Sequence, residues 1–343
     1  MNVLVLGAFG KGALENFYVD GFYRQGIVVD KFDITKDYYD RISRTTIDKI
    51  LNKVRPAIYF RPINLAILDH VRDKNYDVIL IFKGLTIFPD TVRQLKRHAK
   101  LLCCYNPDHP FQFYSPGSGN KNISDSIELY DVYINYSQKV TAQLKNQFRV
   151  EAATIPFGYD DREIEVYEND PLGEKVLFAG AFDEDRAKFL AQLPGSTLAI
   201  YGDEKWRTRT NAYPELSRNY AGRSLYGDEY KTSIGNSLAV LNIMRKQNLI
   251  EGSHNMRTFE VPGYAGVMLS QRTEEQSYFF EEDREAIYFD TIEELKDKIT
   301  FLRNNPSAVR AIKQAAHRRS TSSGYTYYDR SKEMTGLFKG YLK

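Results

Sequence analysis

Hydrophobic positions in the first 160 residues alternate between two patterns. Short runs rich in Val, Ile and Leu predict strands, and stretches with apolar residues three and four apart, as in residues 45–73 and 88–98, predict helices. Strands that alternate with helices predict a parallel α/β sheet. The predicted strands are VLVLG (3–7), GIVVDKFD (26–33), DVILIFKG (77–84), KLLCCYNPD (100–108), DVYINY (131–136) and EAATIPFGYD (151–160).

The same alternation begins again after residues 161–174, an acidic segment without apolar periodicity that we interpret as an interdomain linker. We therefore expect an N-terminal domain over residues 1–160, a C-terminal domain over 175–324 and an amphipathic final helix within 325–343. The predicted strands of the second domain are KVLFAG (175–180), STLAIYGD (196–203), SLAVLNIM (237–244), GVMLSQ (266–271) and AIYFD (286–290).

Composition narrows the class of protein. A chain of 343 residues suits two domains, and 42% hydrophobic with 27% charged residues is typical of a folded globular protein. The net charge of only +2 argues against nucleic acid as a partner. Because no apolar stretch approaches the ~18–20 residues of a membrane span, we expect a cytoplasmic protein, at most peripheral to a membrane. Cys103 and Cys104 lie in an apolar run and are expected to be buried.

A glycine-containing loop, GAFGKGALE (7–15), follows the first predicted strand and precedes a helix. In that context Gly7 and Gly10 would let a phosphate or an acceptor approach backbone amides at a helix N-terminus. The spacing is not the dinucleotide fingerprint. A tight turn that needs positive φ at both glycines explains them equally well without a ligand. The loop is therefore only a possible acceptor or phosphate site.

The segment YNPDHP (105–110) follows a strand expected near the centre of the first sheet. A general base at the carboxyl end of that strand would activate an acceptor hydroxyl, and Asp108 or His109 is suitable. His109 is slightly favoured because an unperturbed imidazole has a pKa near neutrality. In the alternative interpretation Asp108 caps the loop and the two prolines shape it.

The segment 241–269 contains the strongest candidates for donor binding. Arg245 ends a predicted strand, and Asn255, Arg257 and Glu260 begin the next helix. The arginines would neutralise a diphosphate leaving group, the helix N-terminus would add backbone donors, and Glu260 would accept hydrogen bonds from ribose hydroxyls. His254, at a loop position, joins this candidate set. The alternative for Glu260 is a favourable interaction with its own helix dipole.

Several runs in the second half resemble one known family, the spore-maturation CgeB-like glycosyltransferases, in both order and spacing. The most specific element is Asn255-x-Arg257-x-Phe259-Glu260. The matching runs are FAGAFDEDRAKFL (178–190), AIYGDEKW (199–206), DEYKTSIGNSLAVLNIMR (228–245), NMRTFEVPGYAGVML (255–269), DTIEELKDKITFLRNNPSAVRAIKQAA (290–316) and YTYYDR (325–330).

This resemblance implies a GT-B fold of two facing Rossmann-like domains, with parallel sheets and a C-terminal helix that crosses back to the first domain. It implies a nucleotide-sugar donor in the C-terminal domain, where Gly180, Arg186 and Gly202 join the candidate donor-binding residues. Retaining enzymes of this fold carry two glutamates eight positions apart. Counting back from Glu260 reaches Gly252, with Glu251 one place away. This slightly favours inversion, and the alternative is that a loop shift lets Glu251 serve as the second glutamate.

We therefore expect a metal-independent glycosyltransferase that moves a sugar from a nucleotide-diphosphate donor, a co-substrate, to a hydroxyl of a glycan or cell-surface acceptor. No cofactor and no metal site are expected, because arginines and a helix dipole would stabilise the diphosphate without an Asp-x-Asp metal site. Two alternatives remain. A nucleotide-sugar epimerase has the same fold, and a non-enzymatic surface or spore-coat component could retain it.

Overall fold

The computed structural model describes residues 1–113, 118–162 and 173–343. In chain order, the first elements are β1 Asn2–Gly7, α1 Leu14–Arg24, β2 Val28–Asp33, α2 Lys36–Ser43, α3 Thr46–Val54, α4 Ala57–Val71, β3 Tyr76–Phe82, α5 Pro89–Leu95, β4 Ala99–Asn106, α6 Lys121–Ser124, β5 Val132–Asn135, α7 Gln138–Gln147 and β6 Glu151–Thr154.

The remaining elements are β7 Val176–Ala179, α8 Glu184–Leu190, β8 Leu198–Tyr201, α9 Lys205–Thr208, α10 Pro214–Asn219, α11 Gly227–Asn236, β9 Ala239–Asn242, α12 Lys246–Glu251, α13 Arg257–Gly263, β10 Met268–Gln271, α14 Glu274–Phe279, β11 Ile287–Phe289, α15 Ile292–Asn304, α16 Pro306–Ser322 and α17 Tyr327–Tyr341. Short 3-10 turns lie at Lys96–His98, Ile127–Leu129 and Gly195–Thr197. All the predicted strands are present. The helical stretch predicted over residues 45–73 is divided at Pro56, since proline restricts the residue before it and lacks the amide that a continuous helix needs.

The chain forms two compact units. One contains Met1–Pro156 together with Tyr327–Lys343, and the other contains Phe157–Thr326. Residues 157–160, predicted as the end of the first domain, thus belong to the second unit, where the Tyr159 amide donates to the carbonyl of Tyr325 at 3.1 Å. Of the predicted linker 161–174, residues 163–172 lie outside the described part of the chain.

The first unit is built on a parallel sheet with strand order β2-β1-β3-β4-β5-β6. Its central strands are buried on both faces, as their continuous apolar sequences predict. The free thiols of Cys103 and Cys104 on β4 are buried among them. The strand order changes direction between β1 and β3, and ligands of such sheets bind beyond the carboxyl ends of strands at this switch point.

The final helix, α17, packs on α1 within the first unit. The rings of Phe17 and Tyr327 are stacked with centroids 4.8 Å apart, and Gln25 Nε2 donates to Ser331 Oγ at 2.9 Å. Gly21 permits this approach, because a side chain there would collide with Ser331. The predicted return of the C-terminal helix to the first domain is confirmed.

The second unit is built on a parallel sheet with strand order β11-β10-β9-β7-β8. Its core contains apolar residues of every strand, covered by helices that include α8 and α15. The strand order changes direction between β7 and β9. The segments after β7 and β9 therefore meet at the switch point of this sheet.

Candidate active site

Three arginines converge on the switch point of the second sheet. Arg257, at the start of α13, donates from Nη2 to the carbonyl of Ala179, the last residue of β7. Arg186, on α8, donates from Nη2 at 3.3 Å to the carbonyl of Ile243, which follows β9. Two strand ends thus hold two of the guanidinium groups that the sequence assigned to the diphosphate.

The positive charges of this cluster oppose one another. Burial, reinforced by the charges of Arg257 and Arg245, lowers the pKa of Arg186 to about 10. Across the described residues, no carboxylate forms an ion pair with any of the three arginines. Arg257 Nε is buried there without a hydrogen-bond partner. Cations without a directly paired carboxylate favour the binding of an anion with several charges.

Glu260 lies one helical turn beyond Arg257 on α13. Its Oε2 accepts a hydrogen bond from the Tyr230 hydroxyl at 3.0 Å, and Tyr230 also hydrogen-bonds to Arg257. Burial raises the pKa of the Glu260 carboxyl, while the positive charge of Arg257 and the hydrogen bond from Tyr230 partly oppose that rise. The tyrosine on α11 thereby links the predicted ribose ligand to the predicted phosphate ligand.

Asn255 holds the loop before α13 rather than projecting freely from it. Its Nδ2 donates to Asn242 Oδ1 at 2.8 Å, and Asn242 Nδ2 donates back to Asn255 Oδ1 at 3.1 Å. The same Oδ1 accepts from the Thr258 amide at 3.2 Å, which uses one of the backbone donors that the sequence assigned to the donor. The structure therefore gives Asn255 a role in positioning Arg257 and Glu260.

His254 is buried and directed into the protein, which corrects its assignment as a donor ligand. Its Nδ1 lies 2.6 Å from Glu275 Oε2, and its Nε2 accepts from the Phe157 amide at 3.3 Å. Phenylalanine rings pack edge-on around the imidazole. With both ring nitrogens engaged, the side chain has no group left for a nucleotide.

Gly180 and Gly202 are required by close packing around β7. A side chain at Gly202 would collide with the Gly180 carbonyl and the Trp206 ring, and Trp206 Nε1 donates to that carbonyl at 2.8 Å. A Cβ at Gly180 would lie 3.3 Å from Arg257 Nη2. Gly180 thus leaves room for the arginine, whereas Gly202 acts through the backbone alone.

The sequence contains one Asp-x-Asp run, Asp183-Glu184-Asp185. Asp183 Oδ1 caps α8 by accepting from the amides of Asp185 at 3.1 Å and Arg186 at 3.2 Å. This cap fixes the start of the helix that carries Arg186. Within residues 1–113, 118–162 and 173–343, His, Cys, Asp and Glu form no group of three suited to a metal ion.

A second polar cluster lies at the switch point of the first sheet. Lys83, directly after β3, forms an ion pair with Asp108, after β4, with Nζ 2.6 Å from Oδ2. Lys83 has a positive φ of 60°, which is uncommon for a residue other than glycine and marks backbone strain of the kind found at functional sites. Two hydrogen bonds fix the backbone of Asp108. Its amide donates to Asn106 Oδ1, and its carbonyl accepts from Asn135 Nδ2.

The side chain of Glu15, in the first turn of α1, reaches the glycine loop after β1. Its Oε1 accepts from the Ala8 amide at 3.0 Å, and a Cβ at Gly7 would lie 2.5 Å from its Cγ. Burial raises the pKa of Glu15. A carboxylate in this position repels a phosphate, so the structure does not support Gly7 and Gly10 as a phosphate loop. Positive φ occurs at Gly12 and not at either of those glycines, which also corrects the turn interpretation.

His109 is poorly placed to act as a base. The ring is 3% exposed, its Nδ1 accepts from the Gln112 amide at 3.0 Å, and it also hydrogen-bonds to the Gln143 side chain. Burial lowers the pKa of His109 to about 4. The structure therefore argues against His109 as the base, because the imidazole is buried and its hydrogen bonds are made within the protein.

The low pKa of His109 predicts an acid-dependent loss of stability. Between pH 6.5 and about 4 the unfolded chain binds a proton that the folded imidazole does not, so the free energy of unfolding falls as the pH is lowered. We expect His109→Gln to reduce the loss between pH 7 and pH 5 by roughly 2 kcal/mol and to leave turnover within a few-fold of the parent. Urea unfolding at both pH values measures the first effect. Equal losses in parent and variant, or a hundredfold fall in turnover without unfolding, would contradict this interpretation.

Comparison with known proteins identifies this architecture. Residues 185–336 match a family model described as glycosyl transferase-like, and no curated protein matches the chain significantly. Sucrose-phosphate synthase from Thermosynechococcus elongatus is 12% identical with a TM-score of 0.73, and the alignment covers 99% of this chain and 98% of that one. The chain has the GT-B fold. This confirms the fold class predicted from the sequence.

Two further solved structures align with nearly the whole of this chain. A glycosyltransferase from Rickettsia africae is 11% identical with a TM-score of 0.67, covering 100% of this chain and 98% of that one. Anabaena HepE in complex with UDP-glucose is 12% identical with a TM-score of 0.66, covering 99% and 100%. The matched residues 185–336 include the three arginines and Glu260. Membership of the narrower CgeB-like family stays a prediction.

Among the described helices of this GT-B chain, none combines the length and hydrophobicity needed to cross a bilayer.

Sequence reasoning missed Glu15, Lys83 and Tyr230. Each belongs to a different element from the residue it contacts, so no local pattern links the partners. For Lys83 a signal was available, because a lysine followed by glycine ends the apolar run of β3 at the edge where ligands bind.

Proposed function

We propose that the protein is a glycosyltransferase that moves a sugar from a nucleoside diphosphate to a hydroxyl of a glycan or cell-surface acceptor. The observation that carries this proposal is the cluster of Arg186, Arg245 and Arg257 at the switch point of the second sheet, without carboxylate partners in the described structure. The match to a glycosyl transferase-like family over residues 185–336 supports it. The similarly folded HepE, solved with UDP-glucose, makes uridine diphosphate sugars the first donors to test.

In the proposed reaction the acceptor oxygen forms a bond to the anomeric carbon as the bond from that carbon to the diphosphate oxygen breaks. The electron pair and the developing negative charge leave with the diphosphate. Fixed cations at that position stabilise the transition state more than the substrate, because the leaving group gains charge as the bond breaks. The arginine cluster supplies these cations.

On the acceptor side we propose Asp108 as the base that takes the hydroxyl proton in an inverting reaction. Lys83 Nζ forms the ion pair with Oδ2 of this carboxylate. Oδ1 would accept the hydrogen bond from the acceptor hydroxyl. Lys83 and its strained backbone would hold the carboxylate in a single orientation. This assignment replaces His109, whose ring nitrogens are already used inside the protein.

Incubation with nucleotide sugars of different bases, with and without oligosaccharide acceptors, tests the proposal. A transferase releases nucleoside diphosphate and elongates the acceptor in the same reaction. An epimerase would change the sugar of the donor with no acceptor present. A structural component would neither bind nor alter any donor, and either of these outcomes refutes the proposal.

The role of Glu260 leads to a separate expectation. Glu260→Gln keeps the shape of the side chain but removes the charged acceptor for the ribose hydroxyls, so affinity for the nucleoside diphosphate should fall by roughly 1–3 kcal/mol. Parent affinity should also decrease as the pH is lowered through the raised pKa of Glu260, because the protonated carboxyl is a weaker acceptor. Calorimetric titration measures both effects. Glu229→Gln, an exposed change on α11, is the control, and equal effects of the two substitutions would remove Glu260 from the site.

Metal independence is a further part of the proposal. Because arginines would neutralise the diphosphate, turnover should persist after exhaustive treatment with EDTA. A radiometric assay of sugar transfer, with a known Mn²⁺-dependent transferase as control, measures this. Loss of turnover that is restored by Mg²⁺ or Mn²⁺ would contradict it.

A further inference from the structure

Helix α3, Thr46–Val54, exposes its apolar face to solvent, whereas an ordinary surface helix buries that face. None of its residues is buried. Its apolar side chains point to solvent, with Ile47 68%, Ile50 58% and Val54 71% exposed. Surface helices of globular proteins instead direct the apolar stripe toward the core.

Polar side chains attach this helix to the first unit. Asn52 Nδ2 donates to the Tyr38 hydroxyl of α2 at 3.0 Å, and the Tyr59 hydroxyl of α4 donates to Asp48 Oδ1 at 2.8 Å. The helix is therefore held by its polar face and presents its apolar face outward. Ile58, at the start of α4, is 53% exposed and extends the apolar surface.

The charge around this surface is strongly positive. Residues 41–61 contain six lysines and arginines and one aspartate, a net charge of +5 in a chain whose net charge is +2. The rest of the chain therefore carries −3. None of the six basic side chains forms an ion pair within the described structure, and five of them are exposed. The six are Arg41, Arg44, Lys49, Lys53, Arg55 and Arg61.

We propose that α3 docks the protein on an anionic lipid surface. An exposed apolar stripe flanked by lysines and arginines fits the boundary between headgroups and acyl chains, where apolar side chains insert and cations meet lipid phosphates. Symmetric pairing of two copies through this surface is disfavoured, because it would bring two patches of +5 together. The inference does not depend on the proposed sugar transfer.

Flotation of the full-length protein with lipid vesicles tests this docking. One set contains phosphatidylcholine alone, and the other contains about one third phosphatidylglycerol. We expect binding to the anionic vesicles to be at least about tenfold tighter than to the neutral vesicles and to weaken with added salt. Ile47→Ser combined with Val54→Ser should weaken binding to anionic vesicles at least about tenfold. Lys49→Gln combined with Lys53→Gln should weaken binding and reduce its salt dependence.

The matched control changes exposed aromatic residues in the second unit. Tyr278→Ser combined with Phe301→Ser removes side chains that are 74% and 46% exposed and should leave vesicle binding unchanged. Circular dichroism verifies that each variant is folded. The proposal is overturned if the parent does not bind anionic vesicles or if all variants bind equally. It is also overturned if sedimentation shows a parent dimer that the Ile47 and Val54 changes dissociate, since the surface would then join two copies.

Discussion

Replacing Arg186 with methionine is expected to weaken binding of a nucleoside diphosphate by about 30- to 100-fold while leaving the ligand-free protein at least as stable as the parent. Affinity falls because charged hydrogen bonds to the diphosphate are lost, each worth roughly 1.5–3 kcal/mol. Stability should be maintained because the substitution removes a partly buried cation that two other arginines repel. Within the described part of the chain, the substitution removes the 3.3 Å side-chain hydrogen bond to the Ile243 carbonyl.

Calorimetry gives the affinity, and a melting curve without ligand gives the stability. Lys188→Met is the matched control, since Lys188 lies on the same helix and is exposed. That change should alter neither quantity. If Arg186→Met lowers the melting temperature sharply and leaves affinity intact, the arginine is a structural residue and the proposed donor site is wrong.

Asp108→Asn is expected to lower turnover at least about a hundredfold with little change in nucleotide affinity. General-base catalysis typically contributes ~10²–10⁴-fold, and an amide cannot take the proton of the acceptor hydroxyl. Affinity for the nucleotide should persist, because the proposed donor ligands belong to the other unit. A fall in kcat without a matching fall in affinity indicates a group that acts mainly in the transition state.

The chain offers a matched control at the opposite edge of the same sheet. Asp77, at the start of β3, forms an ion pair with Lys100 at 2.7 Å, the same chemistry as the pair of Asp108 with Lys83. Asp77→Asn should leave turnover unchanged. Equal turnover in both variants would make the Lys83–Asp108 pair structural. A loss of turnover that accompanies unfolding is recognised from the melting curves of both variants.

The sheets were predictable from the sequence because their strands are buried on both faces. Such strands require continuous apolar runs, as in residues 78–82 and 238–241, and these runs stand out against the polar segments between them. Helix boundaries were less predictable, because a single proline at position 56 divides a stretch whose periodicity continues on both sides. The first unit ends at Pro156 and not at the predicted residue 160. The reason is that Tyr159 packs on Gly263, more than 100 residues away along the chain.

The candidate donor site was partly predictable for a related reason. Arg257 and Glu260 lie one turn apart on α13, so their proximity is a local property, whereas α12 separates Arg245 from them along the chain. Their approach to Arg186 depends on β7 and β9 being neighbours, which the apolar pattern does not determine. The environment of His109 was not predictable, since it depends on Phe111 and Gln143 shielding a ring that follows an exposed-looking polar run.

The most direct measurement of the central claim is calorimetric titration of the parent protein with nucleoside diphosphates, the matching monophosphates and the free nucleosides. Three convergent cations without carboxylate partners should bind one diphosphate at least about tenfold more tightly than its monophosphate, because the second phosphate adds charged hydrogen bonds of roughly 1.5–3 kcal/mol each. The nucleoside should bind more weakly still. If no nucleotide binds, or if the monophosphate and the diphosphate bind equally, the arginine cluster is not the donor site.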